Sequence, residues 1–208
     1  MTSSLALFSR NFLKHPRMLG SLIPSSRFLV NRLLDQVDWS RAGTIVEYGP
    51  GVGTFTAEIL RRLPPDANLL AIDTNRDFAR FLTRAFRDDR LHVIEGSAAE
   101  AQKNLRERGL GRADYVISGI PYSTMDPEVR AKILRTTHDL LQQDGAFLVY
   151  QFTRAVLPCL RQVFPHVQQE FEPRNIMPAR LFYCRRSPER RANGRREARP
   201  RAGTASDR

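Results

Sequence analysis

Thr44-Ile45-Val46-Glu47-Tyr48-Gly49-Pro50-Gly51-Val52-Gly53-Thr54 changes character at its first glycine. Ahead of Gly49 the residues are β-branched and apolar, the composition of a buried strand. Behind it, alternate glycines form a turn that side chains would obstruct. After Gly53, Phe55, Ile59, Leu60 and Leu63 recur at helical spacing. The order is therefore strand, glycine turn, helix, and such a turn lets backbone amides approach a ligand closely.

The glycine spacing is Gly-x-Gly-x-Gly, not the Gly-x-Gly-x-x-Gly that cradles a dinucleotide pyrophosphate. Glu47, two positions before the first glycine, would repel a phosphate and suits an ammonium. A second apolar run, Leu69-Leu70-Ala71-Ile72, ends on Asp73. The glycine loop with these two acids resembles the cofactor-binding motifs of class I S-adenosylmethionine-dependent methyltransferases.

Working outward, strands and helices alternate. A turn at Gly20 to Ser26 leads to a helix carrying Phe28, Leu29, Leu33, Leu34 and Val37, capped by Ser25 or Ser26. The helix after the glycine loop is closed by Pro64-Pro65, and the strand to Asp73 is followed by a helix with Phe78, Phe81, Leu82 and Phe86. Leu91 to Glu95 and Asp114 to Ser118 read as further strands, and Ser97 can cap a helix. A helix from about Pro127 to Leu141, a turn at Asp144-Gly145, a strand from Ala146 to Phe152, and two closing strands (Val167 to Phe171, Ala179 to Cys184) complete the reading. The pattern predicts an α/β fold: a Rossmann-like, mainly parallel sheet of about seven strands covered by helices on both faces, with an N-terminal amphipathic helical extension. Ligands of such sheets bind at the carboxyl ends of the strands, where the glycine loop, Asp73, Ser97 and the segment Ser118 to Tyr122 all fall.

At 208 residues the chain holds one such domain with extensions. Its organisation reads as 1–37, amphipathic, membrane-binding and lid helices; 38–186, the methyltransferase domain; and 187–208, a basic tail. The formal net charge is +11, and from Arg185 onward nine arginines face only Glu189, Glu197 and Asp207. Residues 1–34 carry Arg10, Lys14, Arg17, Arg27 and Arg32 with no acid, so both ends favour an anionic partner. Leu5, Phe8 and Phe12 share a helical face, with Arg10 and Lys14 elsewhere around it. This is a pattern for a membrane interface or for a lid over the cofactor. Cys159 and Cys184 have no metal-ligand spacing, no metal site is read, and a reduced compartment is expected. No apolar run reaches the roughly 20 residues that span a bilayer.

The resemblance implies roles one position at a time. S-adenosylmethionine is the cofactor. Gly49, Gly51 and Gly53 pass along its methionine part with Tyr48 beside them, and Glu47 takes the ammonium directly or through water. Asp73, followed by Thr74, accepts from both ribose hydroxyls; Ser97 and Ala98 lie at the adenine; and Ser118, Gly119, Pro121 and Tyr122 border the transferred methyl. Ribosomal RNA adenine dimethylases, which the chain broadly resembles, carry Asn or Asp ahead of a Pro-aromatic pair, and alignment on Pro121-Tyr122 puts Gly119 there instead. Glycine cannot hold a base amino group, which argues against nucleic acid. The Ser-Gly-hydrophobic-Pro form is similar to bacterial phospholipid N-methyltransferases, as are Phe12-Leu13-Lys14-His15-Pro16, Gly20 to Ser26, Glu95-Gly96-Ser97-Ala98, and Asn175 with Pro178-Ala179-Arg180.

That family implies methylation of phosphatidylethanolamine and its mono- and dimethyl derivatives towards phosphatidylcholine, with another amine lipid such as an ornithine lipid as an alternative. The expected setting is the inner face of the bacterial cytoplasmic membrane, bound to anionic phospholipid through Phe8, Arg10, Phe12 and Lys14. An ammonium acceptor must lose a proton before attack, so a base or water path is needed. Tyr122, Tyr48 and His138 are the candidates, with Tyr122 also able to face a methylated cation. Arg180 is the candidate partner for the lipid phosphate.

Overall fold

The computed structural model describes residues 25–186. Seven strands form one sheet: β1 (Thr44–Tyr48), β2 (Asn68–Asp73), β3 (Leu91–Glu95), β4 (Ala113–Ser118), β5 (Leu141–Gln151), β6 (His166–Glu172) and β7 (Ala179–Arg185). The helices are α1 (Arg27–Leu34), α2 (Thr54–Arg62), α3 (Arg76–Ala85), α4 (Ala101–Glu107), α5 (Pro127–Leu140) and α6 (Leu157–Val163). The spatial order is β3-β2-β1-β4-β5-β7-β6. The first five strands run parallel, while β7 is antiparallel to β5 and β6. This is the Rossmann-like sheet expected from the alternation of elements.

The continuous apolar runs of β1, β2 and β4 are explained by burial on both faces. On one face Val46, Tyr48, Leu70, Val116 and Phe147 pack with Leu105 of α4, Ile133 and Leu134 of α5, and Leu160 of α6. On the other, Ile45, Leu69, Ile117 and Leu148 pack with Leu29 and Leu33 of α1 and with Phe55 and Ile59 of α2. Of the helix residues named ahead of β1, Leu29, Leu33, Leu34 and Val37 all belong to this second core, so α1 is part of the sheet's cover. Ser26 caps α1, its hydroxyl accepting from the Leu29 amide at 3.2 Å. Arg32 ties α1 to β6 through Glu170 (2.7 Å) and Glu172 (3.3 Å).

Two features depart from the sequence reading. The turn expected at Asp144-Gly145 lies inside β5, which begins at Leu141 directly after α5. Pairing with β4 jumps from Ala113↔Leu141 to Tyr115↔Ala146, a bulge that absorbs the extra residues. A Cβ on Gly145 would come within 2.9 Å of the Asp114 carbonyl oxygen, so the turn-like residues serve a close backbone approach. Helix α6 was not anticipated. It is short, only Leu160 is buried, and Pro158 sits in its first turn, where a missing N–H costs little.

Chain order reverses between β1 and β4, which lie side by side at the centre while their successors run in opposite directions. In open α/β sheets a crevice forms outside the carboxyl ends at that point.

Candidate active site

A cleft of about 230 Å³ opens at this position. Its walls are the strand ends: Gly49 and Gly51 after β1, Asp73 and Thr74 after β2, Gly96, Ser97 and Ala98 after β3, and Gly119, Ile120 and Pro121 after β4. Of the residues anticipated from sequence, Gly49, Gly51, Asp73, Thr74, Ser97, Ala98, Gly119 and Pro121 converge here. Ile120, within the segment expected to border the transferred methyl, lines the cleft too, while sequence reading missed Ile72, Phe78, Gly96, Met125, Val129 and Ile133, which complete the lining. Met125, Val129 and Ile133 fall four apart, an apolar stripe on the approach to and along α5 that the spacing alone could have disclosed.

Gly49 (φ +69°) and Gly51 (φ +56°) occupy the left-handed region, which side-chain-bearing residues avoid. A Cβ on Gly49 would also meet Ile120 at 2.6 Å. Gly53 (φ +81°) lies outside the cleft, as the N-cap of α2. Its missing side chain leaves room for Phe86 and Leu82, which a Cβ would approach to 2.6 and 2.8 Å. In the structure this glycine lets α2 pack on the end of α3.

Asp73 accepts from the Asn75 amide at 2.8 Å and the Gly51 amide at 3.2 Å, which fixes its carboxylate at the cleft wall. Glu47 stands behind the glycine loop, 3 % exposed, and its Oε2 accepts from the Thr56 hydroxyl at 2.7 Å. It does not line the cleft. Burial, and then the nearby Asp73 charge, push its carboxyl up to about 8 against the pull of Thr56. Burial likewise raises Asp73. Among the described residues no cation pairs with either acid. Two buried, uncompensated carboxylates beside an open glycine turn fit a cationic ligand, and S-adenosylmethionine carries both an ammonium and a sulfonium.

This arrangement sets a pH dependence. A carboxyl whose folded pKa exceeds its unfolded value destabilises the fold once the unfolded chain can release that proton. On top of the opposite, acid-side loss from ion-paired carboxylates such as Glu58 and Glu172, the Glu47 contribution to the stability of the ligand-free protein should be fully present below about 4.5 and be lost as pH rises through about 8. Glu47→Gln should flatten that decline in thermal melts, and the melting shift produced by S-adenosylmethionine should grow over the same interval in the wild type. Equal slopes in both proteins would show that Glu47 is not the perturbed group.

Tyr48, Ser118 and Tyr122 lie beneath the cleft instead of in it. Tyr122 is fully buried, its hydroxyl 3.0 Å from that of Ser118 and its ring edge-on to Phe147. The Tyr48 hydroxyl accepts from Thr137 at 3.2 Å. Burial raises both phenols far above their usual range, so neither offers a base or an aromatic face to an acceptor. Ser118 and Tyr122 support the floor under the loop. His138 sits at the end of α5, 3.1 Å from Asp139 and edge-on to Phe164, among residues that do not line the cleft.

The position next to Gly119 is taken by a residue the sequence did not single out. A Cβ on Gly119 would collide with the hydroxyl and ring of Tyr150. The register that pairs Ser118 with Val149 places Gly119 against Tyr150 on the neighbouring strand. Tyr150 is stacked on Phe55 (5.2 Å between centroids, 17° between planes). Burial raises its phenol, Ser25 lowers it, and Glu47 adds to the rise.

Arg180, at the start of β7, pairs in register with Gln151 at the end of β5, which puts it on the cleft edge of the sheet. Its guanidinium lies over the Phe171 ring, 5.2 Å from the centroid. Phe8, Arg10, Phe12 and Lys14 lie outside the described residues, as does the arginine tail.

The sheet order, the positive-φ glycines and the acids ending β1 and β2 define an S-adenosylmethionine-dependent class I methyltransferase. Residues 13–143 match the family profile of the ribosomal RNA adenine dimethylases, and the chain belongs to that family. An ornithine lipid N-methyltransferase of Singulisphaera acidiphila is 32 % identical over 181 residues, covering 86 % of this chain and 94 % of that one. Ribosomal RNA small subunit methyltransferase A of Mycoplasma mycoides is 26 % identical over 85 % of this chain, which spans 62 % of that protein's length. Among solved structures, a Burkholderia thailandensis O-methyltransferase family protein superposes with a TM-score of 0.58 at 19 % identity, over 77 % of this chain and 56 % of that one. The 1,6-didemethyltoxoflavin-N1-methyltransferase of the same organism, with S-adenosylhomocysteine bound, gives 0.56 at 16 % identity over 88 % and 89 %.

Proposed function

We propose that this methyltransferase acts at a membrane surface on the amine of a lipid headgroup, with an ornithine lipid as the leading acceptor and phosphatidylethanolamine as the second. The observation that carries the reading is the filling of the Gly119 position by Tyr150. Where the adenine dimethylases present Asn or Asp, this chain has a phenol hydroxyl delivered from the next strand. The neighbouring carboxamide, Gln151, is buried and commits its Nε2 donor to the Ile120 and Tyr150 carbonyls at 2.8 and 2.7 Å, whereas a hydroxyl is enough to orient an amine. The 32 % identical relative that matches over nearly its whole length bears the name of an amine-lipid enzyme, which supports the same choice.

S-adenosylmethionine supplies an electrophilic methyl group on a sulfonium. The protein's part is to align donor and acceptor and exclude water. Asp73 and the Gly49 to Gly51 backbone hold the donor, and Glu47 supplies negative charge behind them. An acceptor nitrogen can donate one N–H to the Tyr150 hydroxyl, which points its lone pair along the cleft past Gly119. The ammonium proton leaves toward water at the open end of the cleft. Arg180 can take the headgroup's anionic group, a phosphate or a carboxylate, through two hydrogen bonds.

The test is transfer of labelled methyl to vesicles containing ornithine lipid, vesicles containing phosphatidylethanolamine, and bulk ribosomal RNA. Label should enter ornithine lipid. Label confined to phosphatidylethanolamine would move the acceptor while keeping the amine-lipid reading, and label confined to RNA would overturn it.

A further inference from the structure

Among the described residues four large apolar side chains are well exposed, and three of them, Phe171 (46 %), Ile176 (74 %) and Met177 (40 %), cluster at the β6–β7 connection. Because β7 runs antiparallel to β5, this loop, residues 173–178, lies at the carboxyl edge of the parallel strands, the edge that carries the cleft. Its sequence, Pro173-Arg174-Asn175-Ile176-Met177-Pro178, contains no acid.

The loop is held in shape from beneath. Asn175 Oδ1 accepts from the Ser26 amide at 2.8 Å, its Nδ2 donates to the Met177 carbonyl at 2.9 Å, and the Ser26 hydroxyl donates to the Arg174 carbonyl at 2.7 Å. These bonds fix the polar side of the loop against α1 and leave Ile176 and Met177 outward. Arginines surround the tip. Arg27 and Arg174 lie over the Phe28 ring at 4.9 and 4.4 Å, and Arg180 lies over Phe171. The carboxylates of this corner, Glu170 and Glu172, are already engaged by Arg32 and Arg174. Arg27 and Arg180 have no carboxylate partner among the described residues.

We infer that the 173–178 loop and the start of α1 form a bilayer-docking surface, with Ile176 and Met177 entering the acyl boundary while Arg27 and Arg180 meet anionic headgroups. The pairing of an apolar tip with uncompensated cations matches the two attractions of an anionic lipid interface. Position adds a third argument. The loop leads straight into β7, whose Arg180 and Leu181 pair with Gln151 and Tyr150 of β5, so a membrane seated here faces the Tyr150 end of the sheet. A headgroup then reaches Tyr150 without its lipid crossing water. This inference rests on the amine-lipid reading.

The experiment uses the full chain and vesicles of phosphatidylcholine with or without phosphatidylglycerol. Ile176→Trp should show a blue shift and quenching by brominated lipids on anionic vesicles, beyond the signal of Trp39 in the wild type. Ile176→Asp with Met177→Asp should lower partitioning about tenfold. S-adenosylhomocysteine affinity should not change, because neither residue lines the cleft. Unquenched tryptophan together with unchanged partitioning would overturn the inference. So would a dimer in sedimentation that the double aspartate variant dissolves, or loss of RNA binding in place of vesicle binding. Methyl transfer to ornithine lipid or phosphatidylethanolamine in detergent micelles separates the two claims. Its absence from the wild type, with vesicle partitioning still dependent on Ile176 and Met177, would sink the acceptor assignment and leave the docking surface standing.

Discussion

Asp73→Asn should weaken binding of S-adenosylmethionine and S-adenosylhomocysteine about a hundredfold, measured by calorimetry. The substitution keeps the shape of a side chain that ends β2 at the cleft wall and is 7 % exposed. It removes the negative charge and one of two acceptor oxygens. Hydrogen bonds to a charged partner contribute roughly 1.5–3 kcal/mol each. By the family resemblance Asp73 serves two ribose hydroxyls, so a loss of about 3 kcal/mol, or two decades of affinity, is the expected scale. The ligand-free protein should melt close to the wild type, because relief of the buried charge offsets loss of the Gly51 amide contact at 3.2 Å, a bond that a carboxamide nitrogen cannot accept. Burial already disfavours the Asp73 carboxylate, and an amide oxygen can keep the Asn75 contact, now made at 2.8 Å. A variant that binds as the wild type does would remove Asp73 from the cofactor site. Loss of melting temperature in the ligand-free protein would instead assign Asp73 to the fold.

Gly119→Ala should reduce methyl transfer by at least a hundredfold and lower stability by about 1–3 kcal/mol, the cost of overpacking a tight site. The new methyl group would be driven onto the hydroxyl and ring of Tyr150. That ring has little room to retreat. It is stacked at 5.2 Å on Phe55, itself 4 % exposed in the core. Tyr150→Phe separates chemistry from packing. It keeps the stack, removes the hydroxyl, and should lower transfer about tenfold or more with cofactor affinity unchanged. Truncating the ring with Tyr150→Ala in the Gly119→Ala background should recover part of the lost stability without recovering activity, a non-additivity expected only for groups in contact. Full activity in Gly119→Ala would show that the acceptor does not pass this point.

These effects differ in how legible they were beforehand. The glycine turn, Asp73, Ser97 and Pro121 follow from local pattern, because a strand end must release its chain into a turn and the turn residues are drawn from a small set. The packing of Gly53 against Leu82 and Phe86 was not legible, since a positive φ serves helix packing as readily as ligand approach. Tyr122 lies in a motif at the right strand end, yet local sequence does not say whether a tyrosine there points up to the cleft or down into the core. Here the Ser118 hydroxyl and the Phe147 edge hold it down.

By itself the sequence determined the strand and helix order, the parallel sheet and the cofactor edge. These depend on hydrophobic period and turn chemistry, which act over a few residues at a time. Only the tertiary structure decided which side chain fills the space beside Gly119. Gly119 and Tyr150 are far apart in the chain and meet because β4 and β5 pair in one register, Ser118 opposite Val149. A single-residue slip of that pairing would turn Tyr150 to the other face, and no local pattern encodes the choice. The same holds for Glu47. Its place before the glycines is visible in the sequence, but its burial behind Thr56, and the raised carboxyl pKa that burial causes, arise only once α2 closes over β1.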